Sequence, residues 1–311
     1  RIGTRGSELA LYQARLAACH LTNLFPELEI EQVIIKTTGD RRTDVALADV
    51  GKVEGICDKG VFIKELETAL DDGSIDLAVH SLKDLPTVLD PRFKLAAVLE
   101  RAAMRDVLIT RSGHSLDSLP AGSQIGTSSV RRARQVEWLR PELQVVDLRG
   151  NVPTRLQKLA QDPSLDAILL AEAGLTRLGF LPESTAETGT AEPILGIHGL
   201  FAIRLEESEF YPAAGQGAIG LEIRASDSST RALVESINHG ETWTRITAER
   251  EFLRLLEAGC HTPVGVASSL HAHQIHLRTR VFPEQGGNPK TSEAVGDDPL
   301  ATAYELFQSL K

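Results

Sequence analysis

The 311-residue sequence has few cysteines, few aromatic residues and no long hydrophobic run. Its three cysteines, Cys19, Cys57 and Cys260, are scattered and contain no Cys-x-x-Cys pair, so neither a disulfide framework nor a zinc site is predicted. This pattern is typical of a reducing compartment, and we expect a cytoplasmic protein. No apolar run is long enough to span a bilayer, and residues 1–24 resemble a strand and a helix rather than a signal peptide, so no membrane partner is predicted.

The shortage of aromatic residues and of positive charge limits the possible partners further. Aromatic residues make up 5% of the chain, which leaves few rings on which nucleic-acid bases could stack. The formal net charge is -10, which disfavours non-specific binding to phosphate backbones, and we expect no nucleic-acid partner. A chain of this length exceeds one typical hydrophobic core, so two or three domains are predicted.

The stretch from Asp76 to Pro86 is the first candidate for a functional site. It begins as a short apolar run, typical of a strand buried on both faces, and Pro86 prevents the strand from continuing. Lys83 and Asp84 therefore lie just past the carboxyl end of a buried strand, which is where open α/β sheets bind ligands. The alternative is a polar turn with a Lys–Asp pair in solvent.

Residues 123–158 contain a strand–turn–helix pattern twice, with arginines at each helix N-terminus. Arg131 and Arg132 lie in the first turn of a helix predicted over 130–139, and Arg155 lies near the start of the next helix. Cations at these positions oppose the helix dipole. We therefore expect a multiply charged anion between the two helices, although ordinary surface arginines are the alternative. Phosphates, carboxylates or RNA would all satisfy this pattern, and the low aromatic content argues against RNA.

The remaining chain reads as an α/β protein followed by a small α+β unit. We predict helices over 8–24, 61–70, 248–257 and 299–310, and strands over 1–4, 29–36, 93–99, 106–110, 144–148, 166–171, 264–268 and 274–282. Two stretches, 37–60 and 180–211, have no clear periodicity, and no element is predicted there. Cys260 follows a predicted helix C-terminus, which would raise the pKa of its thiol, so it is a poor protease-type nucleophile but could still trap a strong electrophile.

Several motifs, in order over nearly the whole chain, resemble those of the porphobilinogen deaminase (hydroxymethylbilane synthase) family. They are His80–Pro86, Gly126–Arg132, Leu148–Val152, Ala214–Ala218 and Glu257–Gly265, together with Arg1–Ser7 and Lys59–Phe62. The resemblance implies an α/β fold of two type II periplasmic-binding-protein-like domains around a cleft, plus a small C-terminal α+β domain. It places domain 1 at 1–97 and 218–238, domain 2 at 98–217 and domain 3 at 239–311, in a protein that is a monomer.

The resemblance also implies a transferase of tetrapyrrole and haem biosynthesis. Such an enzyme joins four porphobilinogen molecules head to tail with loss of ammonia, on a covalently bound dipyrromethane primer, and releases hydroxymethylbilane. The alternative is a non-catalytic carboxylate-binding or anion-binding protein of the same two-lobed fold.

The resemblance assigns roles to particular residues and implies no metal. Asp84 is the expected catalytic residue, because a fixed carboxylate would stabilise the cation left when ammonia departs. Cys260 is expected to hold the dipyrromethane as a thioether. The other residues expected to contact the cofactor are Lys83, Asp84, Ser129, Arg131 and Arg132. Those expected to bind the substrate are Arg5, Lys59, Ser81, Thr127, Arg149, Arg155 and Arg177.

Overall fold

The computed structural model describes residues 1–37, 63–182, 188–258, 262–283 and 286–311. Most of the predicted loop over 37–60, with Cys57 and Lys59, lies outside the described residues, and so does Cys260. Within the described residues the elements, in chain order, are β1 (Ile2–Thr4), α1 (Glu8–Leu24), β2 (Gln32–Ile34), α2 (Lys64–Asp71), β3 (Leu77–Ser81), β4 (Phe93–Val98), β5 (Asp106–Thr110), β6 (Gln124–Gly126), α3 (Val130–Leu139), β7 (Gln144–Val146), α4 (Val152–Gln161), β8 (Ala167–Ala171), α5 (Glu172–Arg177), β9 (Ala191–Pro193), β10 (Phe201–Arg204), β11 (Ile219–Arg224), α6 (Ser228–Glu235), α7 (Gly240–Leu255), β12 (Val264–His271), β13 (Gln274–Val281), β14 (Lys290–Gly296) and α8 (Pro299–Gln308).

The first sheet has the strand order β2-β1-β3-β11-β4. Strands β1, β2 and β3 are parallel, whereas β11 returns from late in the chain and pairs antiparallel with both β3 and β4. Helix α1 covers one face: Ser7 caps it by accepting a hydrogen bond from the backbone N–H of Ala10 (3.3 Å), and its buried side packs against Leu77 and Val79 of β3. This packing fixes the strand that leads to Asp84.

The second sheet repeats this plan with the order β7-β6-β8-β5-β10-β9. Strands β6, β7 and β8 are parallel, and β5 pairs antiparallel with both β8 and β10. In both sheets an antiparallel strand extends a parallel set: β11 in the first sheet, from late in the chain, and β5 in the second, directly before β6 in the chain. Strands β9 and β10 lie within 180–211, where the sequence pattern predicted no element.

The C-terminal unit is an antiparallel sheet, β12-β13-β14, packed against α7 and α8. The predicted helix over 248–257 is wrong at its start, because α7 begins at Gly240 and His239 caps it by accepting from the backbone N–H of Thr242 (3.2 Å). Buried Thr242 interrupts the apolar stripe in the first turn of α7, which hid the start of the helix from the periodicity analysis. The prediction of an α/β protein with a small C-terminal α+β unit is confirmed.

Among the described helices, none combines the length and the apolar character that a membrane crossing needs.

Candidate active site

Asp84 lies at the end of a single 3-10 turn, Leu82–Asp84, that follows β3. The buried side chains of Leu82 and Leu85 hold the turn at both ends, and the backbone N–H of Leu82 donates to the carbonyl oxygen of Ala218 in the neighbouring chain (3.0 Å). The Asp84 side chain is half-buried, and within the described residues it makes no hydrogen bond or ion pair. The fold therefore holds the backbone of Asp84 in place and leaves its carboxylate available to a ligand.

Lys83 stands beside this carboxylate in an unusual electrostatic environment. Burial and, to a smaller extent, the positive charge of Arg132 lower the pKa of its ammonium to about 8, while Asp84 and Asp106 oppose the shift. Its Nζ donates to Oε1 of Gln216 at 3.5 Å. Lys83 therefore changes its charge within the range of pH in which enzymes commonly work.

The hydroxyl groups predicted to contribute hydrogen bonds are arranged around two chain segments. Ser81, at the end of β3, exchanges hydrogen bonds with the side-chain amide of Gln13 on α1 (2.9 and 3.1 Å). Ser129 caps α3 by accepting from the backbone N–H of Arg132 (3.5 Å), and Thr127 accepts from the backbone N–H of Ser129 (3.2 Å). These contacts fix the N-terminus of α3, which carries the first arginine pair.

Arg131 and Arg132 are buried, and a carboxylate of the protein itself holds them. Arg131 donates through Nη1 to Asp106 Oδ2 (2.6 Å) and to the carbonyl oxygen of Tyr211 (2.5 Å). Arg132 donates through Nε and Nη2 to Asp106 Oδ1 (3.0 and 2.7 Å) and through Nη1 to the carbonyl oxygen of Leu169 (2.9 Å). Part of the charge compensation that we expected from a ligand is thus internal, and direct contact of the two arginines with a cofactor stays a prediction.

Asp106 is the functional residue that the sequence analysis missed. Burial alone would raise the pKa of its carboxyl group, but Arg131 and Arg132 more than offset this and hold it well below its usual value. The signal was present in the sequence, since Asp106 opens a predicted strand whose other residues are mainly apolar. A carboxylate in such a strand needs a cationic partner, and only the fold shows which arginines supply it.

Arg149 lies between β7 and α4, and Arg155 lies near the start of α4. Burial lowers the pKa of Arg155 to about 10, with a smaller contribution from Arg132, and its Nε donates to the carbonyl oxygen of Gly150 (2.7 Å). The negative charge of Asp84 opposes this shift, so Asp84 lies close enough to Arg155 to affect its pKa. Nη1 of Arg149 is buried and has no hydrogen-bond partner within the described residues. A buried donor without an acceptor indicates a place for an anionic ligand.

The two other predicted arginines within the described residues are Arg5 and Arg177. Burial lowers the pKa of Arg177 to about 10, and its Nη2 donates to the carbonyl oxygen of Gly217 (2.7 Å), which connects α5 to the segment that crosses between the two sheets. Arg5 directly follows β1 and is half-buried. The other two predicted residues, Lys59 and Cys260, lie outside the described part of the chain.

The crossing segment Ala214–Ala218 requires glycine. Gly215 and Gly217 both have a positive φ, of 74° and 84°, and a Cβ at Gly217 would overlap the carbonyl oxygen of Ala102. Arg101, which lies between β4 and β5, donates through Nε to the carbonyl oxygen of Gln216 (2.9 Å) and forms a buried ion pair with Glu249 of α7 (2.5 and 3.0 Å). The crossing is thereby tied to the C-terminal unit.

Arg250 of α7 connects the C-terminal unit to the segment that follows Asp84. Its guanidinium donates to the carbonyl oxygens of Leu85 (3.2 Å), Pro86 (2.6 Å) and Thr87 (3.3 Å), and burial lowers its pKa to about 10. Helix α7 leads on toward residue 260. Helix α7 is therefore bound to the backbone that follows Asp84, and in the chain it precedes Cys260.

Comparisons with known proteins indicate the family of the chain. Two family models match the chain: "Porphobilinogen deaminase, dipyromethane cofactor binding domain" over residues 1–232 and "Porphobilinogen deaminase, C-terminal domain" over residues 243–311. A porphobilinogen deaminase of Syntrophomonas wolfei is 45% identical over 312 residues, covering 100% of this chain and 94% of the relative. One from Moorella thermoacetica is 43% identical over 312 residues, covering 100% and 92%.

Solved structures give a weaker comparison. An arginine-specific periplasmic binding protein of Salmonella typhimurium is 11% identical, with a TM-score of 0.39, and the match covers 76% of this chain and 89% of that one. A substrate-binding domain of Lactococcus lactis GlnP is 12% identical, with a TM-score of 0.39 and coverage of 80% and 90%. These TM-scores are too low to support a conclusion. The family models and the full-length relatives are sufficient, and the chain belongs to the porphobilinogen deaminase family.

Proposed function

We propose that this enzyme joins porphobilinogen units head to tail with loss of ammonia, on a dipyrromethane attached to its own chain, and releases hydroxymethylbilane. The observation that carries the proposal is the Asp84 carboxylate, which is half-buried, has no hydrogen-bond partner within the described residues, and lies in the electrostatic field of Lys83 and Arg155. A carboxylate placed in this way suits a reaction that passes through a cation on a substrate rich in carboxylates.

The residues of the site fit a dipyrromethane. Each pyrrole unit carries an acetate and a propionate, and the buried Nη1 of Arg149 lacks an acceptor among the described residues, as a carboxylate-binding site would before it is filled. We propose that Lys83, Asp84, Ser129, Arg131 and Arg132 hold the cofactor, with Cys260 forming the thioether. When bound, the dipyrromethane supplies the free pyrrole position to which the first substrate unit is joined.

Substrate units would bind through the remaining cationic and hydroxyl groups. Those groups are Arg5, Lys59, Ser81, Thr127, Arg149, Arg155 and Arg177. Arginine grips a carboxylate with two parallel N–H donors, so one side chain both neutralises and orients the unit that it binds. The partly dehydrated setting of Arg155 and Arg177, indicated by pKa values lowered to about 10, strengthens such contacts relative to water.

Asp84 would act at the aminomethyl group of porphobilinogen. Departure of ammonia leaves a positive charge on the substrate, and an ionised carboxylate at fixed distance stabilises that charge without reorganisation. Formation of the new carbon–carbon bond releases a proton from the attacking pyrrole, and the same carboxylate would accept it. Lys83 places a positive charge next to Asp84, and Arg250 holds the backbone of residues 85–87, which follow it in the chain.

Replacing Asp84 by Asn tests this proposal. We expect bilane formation to fall by at least about 100-fold, because both charge stabilisation and proton transfer are lost. The variant should still fold and still carry an adduct of two pyrrole units by intact mass. The matched control is Asp117→Asn, an equal change of charge at an exposed position. Near-parental turnover in Asp84→Asn would remove this residue from the mechanism.

The alternative, a non-catalytic carboxylate-binding protein, gives no joint role to Asp84 and Cys260. Intact mass separates the two, because the enzyme requires an adduct that is absent in Cys260→Ala. We also propose the division into domains at 1–97 with 218–238, 98–217 and 239–311, and a monomer in the cytoplasm. Limited proteolysis and sedimentation measurements test the first two of these statements, and cell fractionation tests the third.

A further inference from the structure

The side chain of Gln216 is fully buried between the two α/β sheets, at the centre of the crossing segment. Its Nε2 donates to the carbonyl oxygen of Met104 (2.6 Å) and to Asp106 Oδ1 (3.0 Å). The carbonyl oxygen of Arg105 lies 3.4 Å from the same nitrogen, so Nε2 faces acceptors only, and a flipped amide would place its oxygen against them. These hydrogen bonds fix the orientation of the amide, and Oε1 therefore faces the Nζ of Lys83, which donates to it (3.5 Å).

This orientation joins two parts of the candidate site that come from different sheets. On one side, Oε1 meets Lys83, the immediate neighbour of Asp84. On the other side, Nε2 meets the carboxylate of Asp106, which holds Arg131 and Arg132. No other described side chain hydrogen-bonds both Lys83 and Asp106. The backbone carbonyl of Gln216 also accepts from Arg101 (2.9 Å), so the position of the amide is fixed at its base as well.

The charges around Lys83 are closely balanced, which makes a neutral acceptor at its tip important. Asp84 from its own turn and Asp106 from β5 favour the charged ammonium, whereas Arg131 and Arg132 from α3 disfavour it. Burial adds to the effect of the arginines, and together they lower the pKa of Lys83 to about 8. A carbonyl oxygen held in place at the ammonium stabilises the charged form only, because a neutral amine forms a much weaker hydrogen bond.

We propose that Gln216 is a positioning residue for the reaction. It holds the Lys83 ammonium beside Asp84 and links it, through hydrogen bonds, to Asp106 and its two arginines in the second sheet. The proposal rests on the function proposed above. It gives Gln216 a purpose beyond filling the crossing, since a purely structural glutamine needs no fixed oxygen facing the lysine next to the candidate acid.

The chain offers a matched control in Gln135, which is also fully buried. Its Nε2 donates to the carbonyl oxygen of Tyr211 (3.0 Å) and its Oε1 accepts from the backbone N–H of the same residue (2.6 Å). The hydrogen bonds of this glutamine therefore satisfy backbone only. A Gln135→Met variant loses a buried amide of the same kind, and this amide makes no hydrogen bond to Lys83 or Asp106.

The test compares Gln216→Met and Gln216→Asn with Gln135→Met. The readout is the pH midpoint for acetylation of Lys83 by acetic anhydride, located by peptide mass spectrometry, with Lys94 as an internal reference. Loss or withdrawal of the acceptor should move the Lys83 midpoint downward by about one pH unit in either Gln216 variant. The midpoint of Lys94 should stay in place, and Gln135→Met should leave both lysines unchanged.

Activity should follow the same shift. If charged Lys83 is required, a midpoint lowered by about one unit reduces bilane formation about five-fold at pH 8 and leaves it nearly unchanged at pH 6. Gln135→Met should lower thermal stability without this dependence on pH. A Lys83 midpoint within about 0.2 unit of the parent in whichever Gln216 variant folds, in protein that carries the pyrrole adduct, overturns the inference. A parent protein without adduct or activity would instead refute the proposed function.

Discussion

The buried carboxylate of Asp106 provides the sharpest test of how the site is held together. It accepts four hydrogen bonds from side chains: one from Arg131, two from Arg132 and one from Gln216. Replacing Asp106 by Asn removes the negative charge and places an amide N–H₂ among donors, so two buried guanidinium groups lose their counter-ion. Removing one partner of a buried ion pair costs about 3–5 kcal/mol. For a chain of this size we expect Tm to fall by about 10 °C.

The pH dependence of this effect has a definite sign. The folded protein holds the pKa of Asp106 well below its usual value, so the carboxylate contributes its full stabilisation above about pH 4 and loses it as the pH falls further. The Asn variant has no such group. The difference in unfolding free energy between parent and variant should therefore be constant from pH 7 down to about pH 4 and shrink below that.

Urea unfolding of parent, Asp106→Asn and the exposed control Asp117→Asn at several pH values measures this difference. Asp117 is exposed, and its replacement should change stability by no more than about 0.5 kcal/mol. The reasoning is refuted if Asp106→Asn costs less than about 1 kcal/mol at pH 7, or if its cost is the same at pH 3 as at pH 7.

Two further predictions concern the arginines. Replacing Arg149 or Arg155 by Leu should impair priming or raise the KM for porphobilinogen by about 10-fold or more, because a carboxylate of the ligand loses its charged donor. Intact mass and steady-state kinetics measure this effect, and Arg92→Leu, at an exposed position, is the control. Kinetics equal to those of the parent would contradict the prediction. Replacing Arg250 by Met should lower kcat about 10-fold with the pyrrole adduct retained, because residues 85–87 lose the group that holds them. Arg254→Met, one turn later on α7 in an exposed pair with Glu251, should leave kcat unchanged, and an equal effect of both variants would argue against this role.

Elements that depend on local sequence were predicted well. The helix over 8–24 has a capping Ser7 and a mainly apolar buried side, and it matches α1. The helix over 130–139 matches α3, which Ser129 caps in the same way. Elements with weak local signals were missed: β14 is largely exposed, and β9 and β10 are short. The antiparallel return of β11 into the first sheet is a long-range pairing that no local pattern encodes.

The sequence by itself determined that a lysine and an acid follow a buried strand, and that arginines cluster at two helix N-termini. It did so because strand ends and helix caps are set by neighbours along the chain. It could not determine which charges meet. Asp106 pairs with Arg131 and Arg132, which lie at least 25 residues away in the chain. Gln216 accepts a hydrogen bond from Lys83 at a separation of 133 residues, and Arg250 donates one to Pro86 at a separation of 164 residues. Only the tertiary structure decided these pairs, because burial forces each polar group to find a partner wherever the fold brings one.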